Sequence, residues 1–372
     1  MATTITSRAR ELYDTWWTRG TAPRALPPAM VRNVYGLWLL ALTLKVLGSS
    51  WDVSWHFKWL RDDLAPPHLL NTTGTVIVVA LVAFHSYTGY GVDRATLRLM
   101  QAGIGIFLLA VPLDVINHRI NGLDITAWSI THALLYLGTA VMLAGVVRGW
   151  WRYGPAGRLR TPVLILLWLF VLENVWFAAG QQEYGVIAVG AWDRGRPEAE
   201  PSLLQFAADQ IGRPVDRVAV LHFALPVPEW VYPLWLVAAA GLVLVPARWM
   251  VGRAWAATAI AAGYVAYRCV IWLVLAGVGF PMSAVPFLLV GVAIAVDLAF
   301  AARLPDLARP VLGAVLAGSG GAGAAWLQAD LLITPPIDYP TFATGAVVLG
   351  VLWVAVTLLV RSAVFSRWAA ER

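Results

Sequence analysis

The sequence predicts an all-α integral membrane protein of about ten transmembrane helices, built on a duplicated helical hairpin that carries metal-ligand residues. Three observations predict it. Of 372 residues, 59% are hydrophobic and 13% charged, with a mean hydropathy of +0.69. A soluble domain has roughly 45–50% apolar and about 25% charged residues, so the bilayer is the solvent this composition fits. Apolar stretches near the roughly 20 residues that a spanning helix needs recur along the whole chain. Finally, an Asp-x3-His pair at the end of one stretch, answered by a histidine at the start of the next, occurs twice.

Composition also excludes several classes. Cys269 is the single cysteine, so disulfide frameworks and cysteine-based zinc sites are ruled out. The net charge is +6, yet 25 of the 27 basic residues are arginines that mostly lie in short gaps between apolar runs. That placement is a topology signal and not a nucleic-acid footprint. The expected partner is the lipid bilayer, with further membrane subunits or a second copy of the chain, and no nucleic acid. Arginine in place of lysine is the usage of GC-rich bacterial coding, which points to a bacterial inner membrane.

Residues 1–29 are polar, contain Arg8, Arg10, Arg19 and Arg24, and lack the apolar core of a signal peptide; they read as a cytoplasmic arm, with Trp16 and Trp17 suited to the interface. Five spans follow within 30–182, near 32–57, 67–89, 97–118, 126–148 and 160–181. Residues 183–227 form the one long connection and read as an extracytoplasmic loop. Within 228–372 a second block holds five more, near 228–247, 252–276, 283–302, 308–332 and 340–363, the ninth bent or closely packed at Gly318-Ser319-Gly320-Gly321. Alternate gaps place 18 basic residues on one side and seven on the other, with Lys45 and Arg268 inside spans. The positive-inside rule then puts both termini in the cytoplasm.

Ionisable groups inside a bilayer cost roughly 2.5–3.5 kcal/mol each on insertion scales, so each demands a reason. The first span ends Trp51-Asp52-Val53-Ser54-Trp55-His56, and Asp52 and His56, four apart, share a helix face. Across the turn, Pro66-Pro67-His68 opens the second span and returns His68 to the level of His56. One carboxylate and two imidazoles suit zinc, copper or iron. The third and fourth spans repeat the pattern 62 residues on, with Asp114, His118 and His132. With 14 aspartates and six histidines in the chain, composition alone gives about 0.2 Asp-x3-His pairs. Two occur, each with a third histidine, as a parallel repeat does. The competing reading makes them hydrogen-bonded pairs that cap helix ends.

This pattern resembles the C subunit of the particulate methane and ammonia monooxygenases, over about residues 30–150. The resemblance implies that Asp52, His56 and His68 match a first copper site, and Asp114, His118 and His132 a second. Two features depart from the family: eleven residues separate His56 from His68, one fewer than expected, and Asp114 stands where asparagine is common. It further implies a copper-binding membrane oxidoreductase component of monooxygenase type, acting on a small apolar or lipid-soluble substrate. Asp62 and Asp124 would orient the histidines from the solvent side. The sequence names no catalytic base or nucleophile. Alternatives are a metal-storing or metal-handling membrane protein without turnover, and a zinc-dependent membrane hydrolase.

Secondary candidates remain. Glu173 is a further ligand, a proton relay, a cation's partner, or a helix-to-helix hydrogen-bond acceptor. Gln181, Gln182 and Glu183 mark the exit of the fifth span. Arg268 needs an anion, with Glu173 and Asp297 as candidates, and Lys45 snorkels or pairs within the bundle. His222 and Glu229 are solvated or close over the metal face, and His85 is packed or interfacial. Trp51, Trp55 and Trp59 form an interfacial belt, with Trp55 the one best placed to wall a substrate pocket beside His56.

Overall fold

A computed structural model describes residues 13–60, 64–121 and 125–361. The helices are α1 (Pro28–His56), α2 (Pro66–Thr88), α3 (Arg94–Asn121), α4 (Ile130–Tyr153), α5 (Arg160–Asp193), α6 (Pro201–Gln210) and α7 (Arg217–Ala224). They continue with α8 (Val231–Val251, containing a π-turn at Trp235–Ala239), α9 (Ala256–Gly277), α10 (Leu289–Ala301), α11 (Ala308–Leu331) and α12 (Thr341–Arg361). Proline opens α1, α2 and α6, where its missing N–H costs no intrahelical bond. Glycines in the left-handed region close α2 and α8: Gly89 (φ 68°) donates to the His85 carbonyl and Gly252 (φ 67°) to that of Arg248.

Among the described residues nine helices are long and apolar enough to cross a membrane, and the chain is a multi-pass α-helical membrane protein. The predicted eighth span differs. It is an irregular stretch over 280–288 followed by α10, only 13 residues long. Pro281 and Pro286 lack the N–H that a helix would use there. The fifth span also differs, continuing as one 34-residue helix to Asp193, so Gln181, Gln182 and Glu183 are buried within it and do not mark an exit. The expected loop 183–227 therefore begins as helix and then carries α6 and α7.

The chain divides into two compact units. The first takes α1 as far as Asp52, α2, α3, α4 and α5 as far as Asn174. Its closest helix contact is α3 on α4, where a Cβ on Gly103 would lie 2.2 Å from the Met142 backbone nitrogen and one on Gly138 2.6 Å from that of Phe107. Asp93 ties the far ends of these helices: it accepts the Thr96 N–H at 2.7 Å and pairs with Arg148 at 2.9 Å and with Arg152. Burial raises the Asp93 pKa, but the Thr96 hydrogen bonds and the two guanidiniums outweigh it and hold the carboxyl below its ordinary range. On α3 the apolar side chains of Leu108, Leu109, Leu113, Val115 and Ile116 are all exposed.

The second unit takes Val53–Arg61 and Ile125–Trp128 where described, and the chain from Val175 on. Phe57, Tyr184, Val189, Leu203, Val220 and Phe223 form one of its cores. The predicted ninth span, α11, is a continuous helix, and its small residues serve close packing: a Cβ on Gly318 would meet that of Ala346 at 2.8 Å.

The irregular stretch before α10 has its backbone satisfied by side chains and main chain of the same unit. The Ser54 hydroxyl donates to the Pro281 carbonyl at 2.7 Å, and the Ala284 N–H donates to the Glu183 carbonyl at 2.9 Å. Gln328 accepts from the Leu288 N–H at 2.9 Å and donates to the Val285 carbonyl at 2.9 Å. Non-helical backbone is tolerated at membrane depth only where protein groups pair with it in this way.

Candidate metal centres

The second hairpin gives the better-defined cluster. Asp114 and His118, one turn apart on α3, face the start of α4. Ser129 caps α4 by accepting the His132 N–H at 3.2 Å, which fixes His132 in the first turn. The His118 and His132 Nε2 atoms then lie 3.4 and 3.7 Å from Asp114 Oδ1. The two imidazole centroids are 6.4 Å apart. Asp114 is buried, and its Oδ1 accepts the Thr131 hydroxyl at 2.8 Å.

These separations fit a metal ion. Zn–N and Zn–O bonds of about 2.0–2.2 Å place ligand atoms roughly 3.3 Å apart in a tetrahedral set, and the three side chains each offer an atom within 4.8 Å of the others. Thr131 supplies the outer hydrogen bond that orients a ligating carboxylate. Thr131→Val is therefore expected to weaken zinc binding at this cluster by about 10- to 100-fold, with little effect on the first. Competition titration with a chromogenic chelator measures it.

The first cluster is carried by the end of α1 and the first turn of α2. Asp52, His56 and His68 again offer atoms within 4.8 Å of one another. Here His68 Nε2 and Asp52 Oδ1 are 2.8 Å apart, a hydrogen-bond distance, so a bound ion would open this contact slightly. Asp52 and His68 are also more exposed, at 25% and 21% of their side chains, against 7% for Asp114.

The structure brings together all six expected ligands, three and three. Asp62 and Asp124 lie outside the described residues. Trp55 packs on Trp59 and Phe280, with centroids at 4.5 and 5.9 Å. His222 and Glu229 are exposed. His85 is buried between the Trp38 indole, which donates to its Nε2 at 3.1 Å, and the Tyr90 carbonyl, 2.8 Å from its Nδ1, a packed histidine as expected. Glu173 is buried near Lys45, while neighbouring Asn174 donates to the Tyr136 carbonyl at 3.0 Å.

Arg268 corrects an expectation. Its partner is neither Glu173 nor Asp297 but Glu183, at 2.7 Å, and it also donates to Tyr264 and Ser283. Asp297 is taken by Arg248 at 2.8 Å and by the N–H and hydroxyl of Thr258, each at 2.8 Å. The lengthened α5 explains the exchange, because it holds Glu183 within a helix where an exit was expected.

The structure also brings forward residues that the ligand search passes over. A glycine and a threonine follow each closing histidine at the same spacing, as Gly74-Thr75 after His68 and Gly138-Thr139 after His132. A Cβ on Gly74 would lie 2.6 Å from the Ala41 carbonyl, and one on Gly138 would lie 2.9 Å from that of Gly103. The repeat is thus a repeat of helix contact as well as of ligands, and the His-x5-Gly-Thr spacing was the available signal. No family model, curated protein or solved structure matches the chain.

Proposed function

We propose that the chain is a copper-binding integral membrane oxidoreductase component of the monooxygenase type, acting on a small apolar or lipid-soluble substrate. The observation that supports it most is the cluster of Asp114, His118 and His132, a buried carboxylate and two imidazoles at ligand separations, answered by a second set one hairpin earlier. Copper held by such a set would supply one-electron redox chemistry with open coordination positions. The protein's own part is orientation. Ser129 sets His132, Thr131 sets Asp114, and helix spacing sets His118. The exposed apolar side chains of α3 offer lipid-soluble molecules a hydrocarbon approach to the hairpin. The arginine distribution supports a bacterial inner membrane with both termini in the cytoplasm.

Metal content per chain tests the reading, measured after separate loading with copper and zinc, with His56→Ala and His118→Ala alongside. Two coppers in the native chain and one in each variant are the expected result. Retention of zinc with no redox-active copper would move the reading to hydrolysis. A native chain that holds no transition metal would overturn it.

A further inference from the structure

Below the first cluster a ladder of polar side chains runs along α1 and α2. On α1, Ser49 and Lys45 lie three and seven residues before Asp52; on α2, Asn71 and Thr75 lie three and seven after His68. These offsets keep all of them on the facing sides of the two helices. The rungs are bonded. Asn71 donates to Ser49 at 3.2 Å, and the Lys45 ammonium donates to Asn71 Oδ1 and to the Thr75 hydroxyl, each at 2.9 Å.

Lys45 is 8% exposed and so does not reach the interface. Its Nζ lies 4.4 Å from the centre of the Phe107 ring on α3, and the charged group that acts on it from α5 is Glu173. From α4, Thr139 lines the same small pocket. The second hairpin keeps the threonine and loses the rest. Phe107, Val111 and Leu135 stand at the offsets of Lys45, Ser49 and Asn71, and Thr139 alone matches Thr75. A lysine kept only to join α1 to α2 has no need of its charge, since a neutral amide makes the same bonds without burying an ion.

We propose that Lys45, with Glu173, is a proton-exchange station for the first cluster: a divalent cation entering Asp52, His56 and His68 expels a proton from it. The inference rests on the metal reading above. Seven helical residues put Lys45 about 10 Å from Asp52, close enough in a weakly screened interior for the two cations to repel. The balance is simple. One N–H bond of the ammonium breaks, the proton leaves to solvent, and the bundle gains one positive charge in place of two.

Zinc, which is redox-silent, tests this on the full chain in lipid nanodiscs. Calorimetric titration near pH 7.5 in buffers of different ionisation enthalpy counts the protons released per zinc. His118→Ala leaves the first cluster and His56→Ala leaves the second. Two changes are then made at the station in the His118→Ala background. Lys45→Arg keeps the donors and the charge but holds no proton that leaves at this pH; Lys45→Gln with Glu173→Gln removes the pair at constant net charge. Each is expected to cut release at the first cluster by about one. An unchanged count in either variant would overturn the station while leaving the metal reading intact. Failure of His118→Ala to bind zinc, or of the two clusters to bind at all, would overturn the metal reading and the station with it.

Discussion

Arg268→Ala is expected to destabilise the protein by about 3–5 kcal/mol, the cost of leaving one partner of a buried ion pair without the other. Glu183 is fully buried, and its Oε1 accepts the Trp176 indole at 2.8 Å and the Tyr232 hydroxyl at 3.0 Å, while Oε2 faces Arg268. Removal of the guanidinium leaves a carboxylate with two neutral donors and no cation. It also strips Ser283 and Tyr264 of a donor. The paired variant Arg268→Met with Glu183→Gln removes both charges at near-constant volume and is expected to recover most of the loss. Urea or sodium dodecyl sulfate unfolding of the purified chain, followed by tryptophan fluorescence, measures both. A single variant as stable as the native chain would mean that the pair is not held together in the membrane.

Gly103→Ala is expected to act against helix propensity. In an isolated helix the change would stabilise by about 1 kcal/mol. On α3 the added Cβ would fall 2.2 Å from the Met142 nitrogen and 2.6 Å from its Cα, where ordinary contact begins at 3.4 Å. The atoms it meets are backbone, so α4 itself must move. Overpacking of that kind costs about 1–3 kcal/mol or more. Because α3 and α4 together hold Asp114, His118 and His132, the same shift is expected to weaken metal binding at the second cluster and to spare the first. Gly105→Ala is the control, since nothing lies within 4 Å of its Cβ. Equal stability of the two variants would show that the close approach is not maintained.

The helical membrane class was legible because composition and run length respond to the solvent and to little else. The meeting of the six candidate side chains, three and three, was legible for another reason: a spacing of four and a short turn determine which side chains meet, whatever surrounds the hairpin. The fate of Glu183 was not. Three polar residues in sequence, Gln181, Gln182 and Glu183, resemble a span's exit. They are buried because Gln181 bonds Ala127 and Phe223, Gln182 accepts from Trp128, and Glu183 meets Arg268. Those partners are distant in the chain, and single-sequence hydropathy contains no term for them. The break before α10 was half legible, as Pro281 and Pro286 were visible within an otherwise apolar run, but hydropathy counts proline as neutral and the span as continuous.

That break bears on how the protein is made. A complete apolar helix can leave the translocation channel alone, since its peptide groups are already paired. The stretch leading into α10 cannot, because the Leu288 N–H and the Val285 carbonyl depend on Gln328, forty or more residues downstream in α11. Those two groups gain their partner only once α11 has been made, so the expected order is that α10 and α11 enter the membrane as a pair.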